Sequence, residues 1–129
     1  WAFFVQPEVP GWAHWLANGD GTLHEQWNDI GSHNHIMYGD LSAWAYEYVG
    51  GIRVLEPGFR KVAIRPQFPK GLDSLAVTHR TPQGEISVSW KRVNGKPVFT
   101  YSVPPGVKGL PPPGEGKAPE TFRRTLRCG

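Results

Sequence analysis

The sequence predicts an α+β chain, a short helical segment followed by a small antiparallel β-sandwich. Three observations predict it. Apolar residues recur at helical spacing up to about residue 52 and at alternate positions after Pro57-Gly58. Asn94-Gly95 lies between two alternating runs, the strongest short hairpin signal a sequence carries. The composition changes at the same point. Residues 1–50 hold no Lys or Arg and six acids, net −6, whereas residues 51–129 hold all fourteen basic residues and five acids, net +9. Five of the six tryptophans and four of the five histidines also fall in the first fifty residues, so two segments with different roles are expected.

Three regions follow: a helical, acidic, Trp-rich segment over 1–52, a β-sandwich over 53–107, and a Pro/Gly-rich basic tail over 108–129 that is expected to be disordered. In the first, VPGWAHWLANG (9–19) predicts a short helix, with Trp12, Trp15 and Leu16 on one face and Asn18-Gly19 as a left-handed stop. DLSAWAYEYVGG (40–51) predicts the best helix, capped by Asp40, striped by Leu41, Trp44, Ala45 and Tyr48, and closed by Gly50. Between them, residues 20–39 are rich in Gly, Asn, Asp and Ser and predict ordered loop. Four strands are then predicted. FRKVAIRP (59–66) turns Val62 and Ile64 inward, and LDSLAVTHR (72–80) alternates at Leu75, Val77 and His79. EISVSWKR (85–92) aligns Ile86, Val88 and Trp90, and PVFTYSV (97–103) aligns Phe99, Tyr101 and Val103.

Several function classes are excluded or disfavoured. An acidic segment without basic residues is a poor phosphate binder, and the basic charges of the second segment are dispersed, so no nucleic-acid partner is expected. No apolar run approaches the roughly 18 residues that span a bilayer, so no membrane partner is expected. Cys128 is the only cysteine, which rules out an internal disulfide and a C-x-x-C metal motif. The chain begins with Trp1 and shows no signal peptide. It is therefore expected to be a processed product or a piece of something longer. Five tryptophans in a segment with only two short helices are expected to leave an exposed Trp-rich surface, open to self-association.

The chemistry-bearing stretch is GTLHEQWNDIGSHNHIMYGD (21–40), with His24, His33, His35, Glu25, Asp29, Asp40 and Trp27. Read from the residues alone, Glu25 is a surface carboxylate, His33 and His35 satisfy backbone groups, Asp29 forms a turn and Asp40 caps a helix. Trp44 is core, Trp15 is core or covered by absent helices, and His79 is a sheet-surface residue.

Three stretches resemble one family in order: GDGTLHEQWND (19–29), GSHNHIMYGDLSAWAYEYVGGI (31–52) and PGFRKVAIRPQF (57–68). They are similar to the C-terminal part of bacterial α-L-rhamnosidases, inverting glycoside hydrolases in which a barrel of helical hairpins precedes a β-sandwich. The family pattern is a Gly-Ala-Thr-Thr-x-Trp-Glu-x-Trp loop, then Ser-His-Asn-His and a Trp-containing helix ending in Gly-Ile. A strand of the Phe-x-x-x-x-Ile-x-Pro type follows. VPGW (9–12) resembles an upstream Pro-Ser-Trp-Gly element, and the likeness runs over about residues 6–104. Two positions depart from the pattern: His24 stands where the family usually has Trp, and Gln26 where Arg is frequent.

The resemblance implies that the helical segment ends an α/α barrel and that the substrate is a rhamnose-containing glycoside or oligosaccharide. It implies no cofactor and no metal. An inverting glycosidase uses an acid that protonates the leaving oxygen and a base that activates water, roughly 6.5–9.5 Å apart. By resemblance Glu25 is the base. His33 and His35 contact sugar hydroxyls, Trp12 and Trp27 stack on the apolar faces of the deoxy sugar, and His24 shapes the pocket. The general acid lies upstream in the family, and neither Glu8 nor Asp20 matches its motif, so the chain alone is expected to be nearly inactive. Two other readings stand beside this one. The first is a small cupin-like metal protein using His24, His33 and His35; the second is a non-catalytic carbohydrate-binding β-sandwich.

Overall fold

The computed structural model describes residues 1–18, 21–111 and the backbone of 124–127. The chain divides into two compact units, Trp1–Ala43 and Trp44–Gly129.

The N-terminal unit has a one-turn helix α1 (Ala2–Val5), helix α2 (Trp12–Asn18), a long ordered loop, and a 3₁₀ turn at Ile36–Tyr38. The predicted stripe on α2 is rotated. Trp15 is buried and Trp12 half-buried, while Leu16 is 69% exposed. The predicted stop at Gly19 lies outside the described residues. The expected exposed Trp-rich surface is not what forms, because the indoles stack on one another. Trp15 lies parallel to Trp27 with centroids 4.3 Å apart, and Trp12 meets the Trp27 ring edge-on at 5.3 Å. Tyr38 closes the cluster at 5.0 Å from Trp27 and 5.4 Å from Trp15. Offset and edge contacts of this kind let rings remove each other from water without a surrounding core. The large exposed apolar residues of this unit are instead Phe3, Val5, Val9, Leu16, Ile30, Ile36 and Met37.

Helix α3 (Asp40–Trp44) takes Asp40 as its first residue and then widens into a π-helical turn over Ala45–Val49. The Gly50 N–H donates to the Ala45 carbonyl at 2.8 Å, an i→i+5 bond. Gly50 must lack a side chain, since a Cβ there would stand 2.8 Å from Val77 Cγ2 and 2.9 Å from the Tyr46 carbonyl oxygen. Gly51 then takes φ +74 and reverses the chain into the first strand.

Among the described residues the C-terminal unit holds seven strands: β1 (Ile52–Glu56), β2 (Lys61–Ile64), β3 (Ser74–Thr81), β4 (Gly84–Val93), β5 (Lys96–Ser102), β6 (Lys108–Leu110) and β7 (Arg124–Arg127). They form a three-stranded sheet ordered β1-β2-β6 and a four-stranded sheet ordered β3-β4-β5-β7. The four predicted strands correspond to β2 through β5. The second sheet is antiparallel throughout, but β6 pairs with β2 in parallel, so the sandwich is mixed rather than purely antiparallel. Two strands, β6 and β7, also fall in the tail expected to be disordered, while residues 112–123 and 128–129 lie outside the described residues.

One apolar cluster joins the sheets: Val49, Ile52, Val62 and Ile64 from one side meet Ile86, Val88, Trp90, Phe99 and Tyr101 from the other. Because Val49 and Ile52 belong to it, the π-helical turn is part of the sandwich, and Val49 offers its carbonyl to the Trp90 indole N–H at 3.2 Å. Arg92 fastens the β2–β3 connection, donating to the carbonyls of Phe68 at 2.9 Å, Leu72 at 3.2 Å and Pro69 at 3.3 Å. Asn94 and Gly95, at φ +51 and +76, make the turn the sequence predicts. His79 is half-buried between Tyr46 and Phe59, at 5.4 and 5.0 Å, rather than lying on an open sheet surface. No described helix is long and apolar enough to cross a membrane.

Two glycines separate backbone strain from crowding. Gly51 and Gly71 both have positive φ, but a Cβ at Gly51 would lie 2.1 Å from Pro66 N, whereas nothing lies within 4 Å at Gly71. Gly71→Ala is expected to cost about 1–2 kcal/mol, the left-handed penalty alone. Gly51→Ala should cost clearly more, read as the larger drop in urea midpoint.

Candidate active site

The loop between α2 and the 3₁₀ turn is ordered by its own backbone. The Glu25 N–H donates to the Ser32 carbonyl and the His35 N–H to the Leu23 carbonyl, both at 2.8 Å. The bend between them is made by Asp29 N–H to Gln26 carbonyl at 3.2 Å and Ile30 N–H to Asn28 Oδ1 at 3.3 Å. Asp29 and Gly31 take the left-handed conformation there, at φ +61 and +91. Ser32 Oγ accepts from the Asn34 N–H at 3.2 Å, and the Thr22 hydroxyl donates to the His33 carbonyl.

Glu25 is half-buried, and its carboxylate is anchored on one side. The Ser32 N–H donates to Oε2 at 3.0 Å, returning the bond that the Glu25 N–H makes to the Ser32 carbonyl. Fixing one oxygen on a backbone donor fixes the direction in which the other points. Gly31 makes room for this carboxylate: a Cβ there would sit 2.7 Å from Oε2 and 3.2 Å from Cδ.

The other predicted site residues are distributed around this clamp. His24 is 5% exposed, with its ring stacked on Trp15 at 5.4 Å and on His33 at 4.1 Å. His33 is exposed, and its Nε2 lies 3.2 Å from the Asp29 carbonyl oxygen. His35 is half-buried and tied through its backbone to Leu23. Trp12 and Trp27 are half-buried members of the aromatic cluster, and the Trp12 indole N–H donates to the Tyr38 carbonyl at 3.3 Å. One face of Trp27 is occupied by Trp15. Glu8 is exposed, and Asp20 lies outside the described residues.

Two residues of this neighbourhood are absent from the sequence-based set. Asp29 does form a turn, but its carboxylate also stands 2.8 Å from His24 Nδ1 and 3.7 Å from His14 Nε2. Neither contact has a spacing that marks it in the sequence.

The cupin-like reading is not supported. Among the described residues, no three His, Cys, Asp or Glu side chains are arranged to hold a metal, and His24 faces His33 as a stacked ring at an interplanar angle of 12°. Nor do residues 31–39 form a barrel strand; they run as loop and 3₁₀ turn into α3.

Comparison with known proteins places this arrangement. Residues 1–49 match the family model described as bacterial α-L-rhamnosidase 6 hairpin glycosidase domain. Residues 51–117 match the model described as bacterial α-L-rhamnosidase C-terminal domain. The chain belongs to the bacterial α-L-rhamnosidase family. It is 36% identical to an α-L-rhamnosidase of Alteromonas sp. (strain LOR), over 63% of this chain and 10% of the relative. It is 32% identical to one from Formosa agariphila, over 74% of this chain and 12% of the relative. Its fold is similar to that of Streptomyces avermitilis α-L-rhamnosidase complexed with L-rhamnose, at TM-score 0.76 and 30% identity, over 83% of this chain and 12% of that one. The chain thus spans about a tenth of the length of the curated relatives it matches.

The clamp has a direct readout. In Glu25→Ala the Ser32 amide proton is expected to lose its charge-assisted partner and move upfield in a ¹H–¹⁵N spectrum. Gly31→Ala should produce the same shift by displacing the carboxylate. A Ser32 amide unmoved in Glu25→Ala would show that the bond does not form.

Proposed function

We propose that this chain supplies the general base and part of the sugar pocket of an inverting α-L-rhamnosidase acting on terminal α-L-rhamnosyl groups. The reciprocal Glu25–Ser32 clamp carries the reading. A base must be oriented toward the water it deprotonates, and a carboxylate held by one oxygen on a backbone N–H is oriented in that way. The L-rhamnose bound by the Streptomyces relative supports the same substrate class here.

In this reading His33 and His35 contact ring hydroxyls. The aromatic cluster of Trp12 and Trp27 supplies an apolar wall for the methyl group and C–H faces of the sugar, with His24 behind it. No cofactor enters the chemistry. The family resemblance puts the general acid upstream of this segment, and neither Glu8 nor Asp20 matches its motif. General acid help is typically worth 10²–10⁴ in rate, so the chain by itself is nearly inactive.

Two measurements test this. L-Rhamnose added to the 129-residue chain is expected to shift the indole N–H signals of Trp12 and Trp27 and the Ser32 amide; no shift at saturating sugar overturns the assignment of the pocket. The same chain should hydrolyse an aryl α-L-rhamnoside no faster than its Glu25→Gln variant. A clear difference between the two would mean that these residues contain an acid as well as a base.

A further inference from the structure

We propose that Asp29 is a positioning residue of this site, gathering His14, His24 and His33 so as to hold the Glu25–Ser32 clamp from both sides. This rests on the reading of Glu25 as the base. The connectivity carries it: His24 immediately precedes Glu25, and His33 immediately follows Ser32. Asp29 grips both of these flanking residues. Its Oδ1 lies 2.8 Å from His24 Nδ1, and its carbonyl oxygen lies 3.2 Å from His33 Nε2. The two imidazoles are then stacked at 4.1 Å, so each limits the movement of the other. Oδ2 reaches back to His14 Nε2 on α2 at 3.7 Å, which ties the loop to the helix carrying Trp12 and Trp15.

A turn former would not need this side chain. At φ +61 a glycine or asparagine serves the backbone as well as aspartate does. What aspartate adds is a carboxylate whose Oδ1 stands at ion-pair distance, 2.8 Å, from His24 Nδ1, and a negative charge there favours a proton on that nitrogen. In this proposal His24 carries its proton on Nδ1, beside the carboxylate. His33 carries a proton on Nε2, facing the Asp29 carbonyl. Asp29 acts through these rings and touches no reacting atom in the proposed mechanism.

The test uses the 129-residue chain. Long-range ¹H–¹⁵N spectra of the imidazoles are expected to show His24 protonated at Nδ1 and His33 at Nε2. His24 protonated at Nε2 alone would overturn the proposal. In Asp29→Gly, which relieves rather than strains the left-handed backbone, the His24 pattern should scramble, the Ser32 amide should move, and L-rhamnose affinity should fall about tenfold or more. Asp29→Asn, with a neutral acceptor on a tolerated backbone, should keep the fold and recover affinity to within about threefold of the parent. A folded Asp29→Gly chain with the parental Ser32 amide overturns the proposal. If the parent chain binds no L-rhamnose, the proposed function fails instead, and the imidazole pattern and the Ser32 amide still decide the role of Asp29.

Discussion

Glu25 and Ser32 exchange two hydrogen bonds across a loop that has no regular secondary structure, and the placement of the Glu25 carboxylate depends on that exchange. A loop carboxylate ordinarily points into water and samples many rotamers. Here the backbone bond from the Glu25 N–H to the Ser32 carbonyl brings the two residues together, and the carboxylate cannot turn away without breaking its own bond to the Ser32 N–H. The glycine beside them gives the carboxylate its space, since any side chain at position 31 would occupy the place of Oε2.

That clamp is supported by rings rather than by a conventional core. A unit of about forty residues buries too little surface to be stable through aliphatic packing alone. Trp12, Trp15, Trp27 and Tyr38 supply large flat areas at small entropic cost, and His24 and His33 extend the stack toward the carboxylate. The choice of His at position 24 is intelligible in these terms. Imidazole keeps a flat ring on Trp15 while presenting Nδ1 to Asp29, at 2.8 Å.

The sandwich was largely legible in the sequence because its second sheet is local. Strands β3, β4 and β5 follow one another through tight turns, and each alternates its apolar residues, so Ile86, Val88, Trp90, Phe99 and Tyr101 could be assigned inward before any coordinates. Strand β1 was missed because Val54 and Leu55, adjacent in sequence, are both 49% exposed and show no alternation. Strand β6 was missed because three residues, Lys108–Leu110, carry no period, and their pairing with β2 is parallel and distant in sequence. In the candidate site, Glu25 and the histidines were suggested by a resemblance, whereas Asp29 was read as a turn former, which its backbone is, with no sign of its side-chain contacts. Nothing in local spacing announces that a turn former fifteen residues from His14 will face it, because that contact is made by tertiary packing of α2 on the loop.

The two units also separate two kinds of constraint. In the sandwich, Arg92 and the glycines at 50 and 51 fix a connection and a chain reversal, and their removal would affect stability without touching a reacting group. In the N-terminal unit, the residues that create order are the ones to which the proposed chemistry is assigned. His24 is at once a buried ring, a partner of Asp29 and the neighbour of Glu25. A substitution there changes packing, hydrogen bonding and the carboxylate's direction together. Position 29 is different, since its backbone conformation can be kept while its carboxylate is removed, and orientation can therefore be separated from folding at that residue.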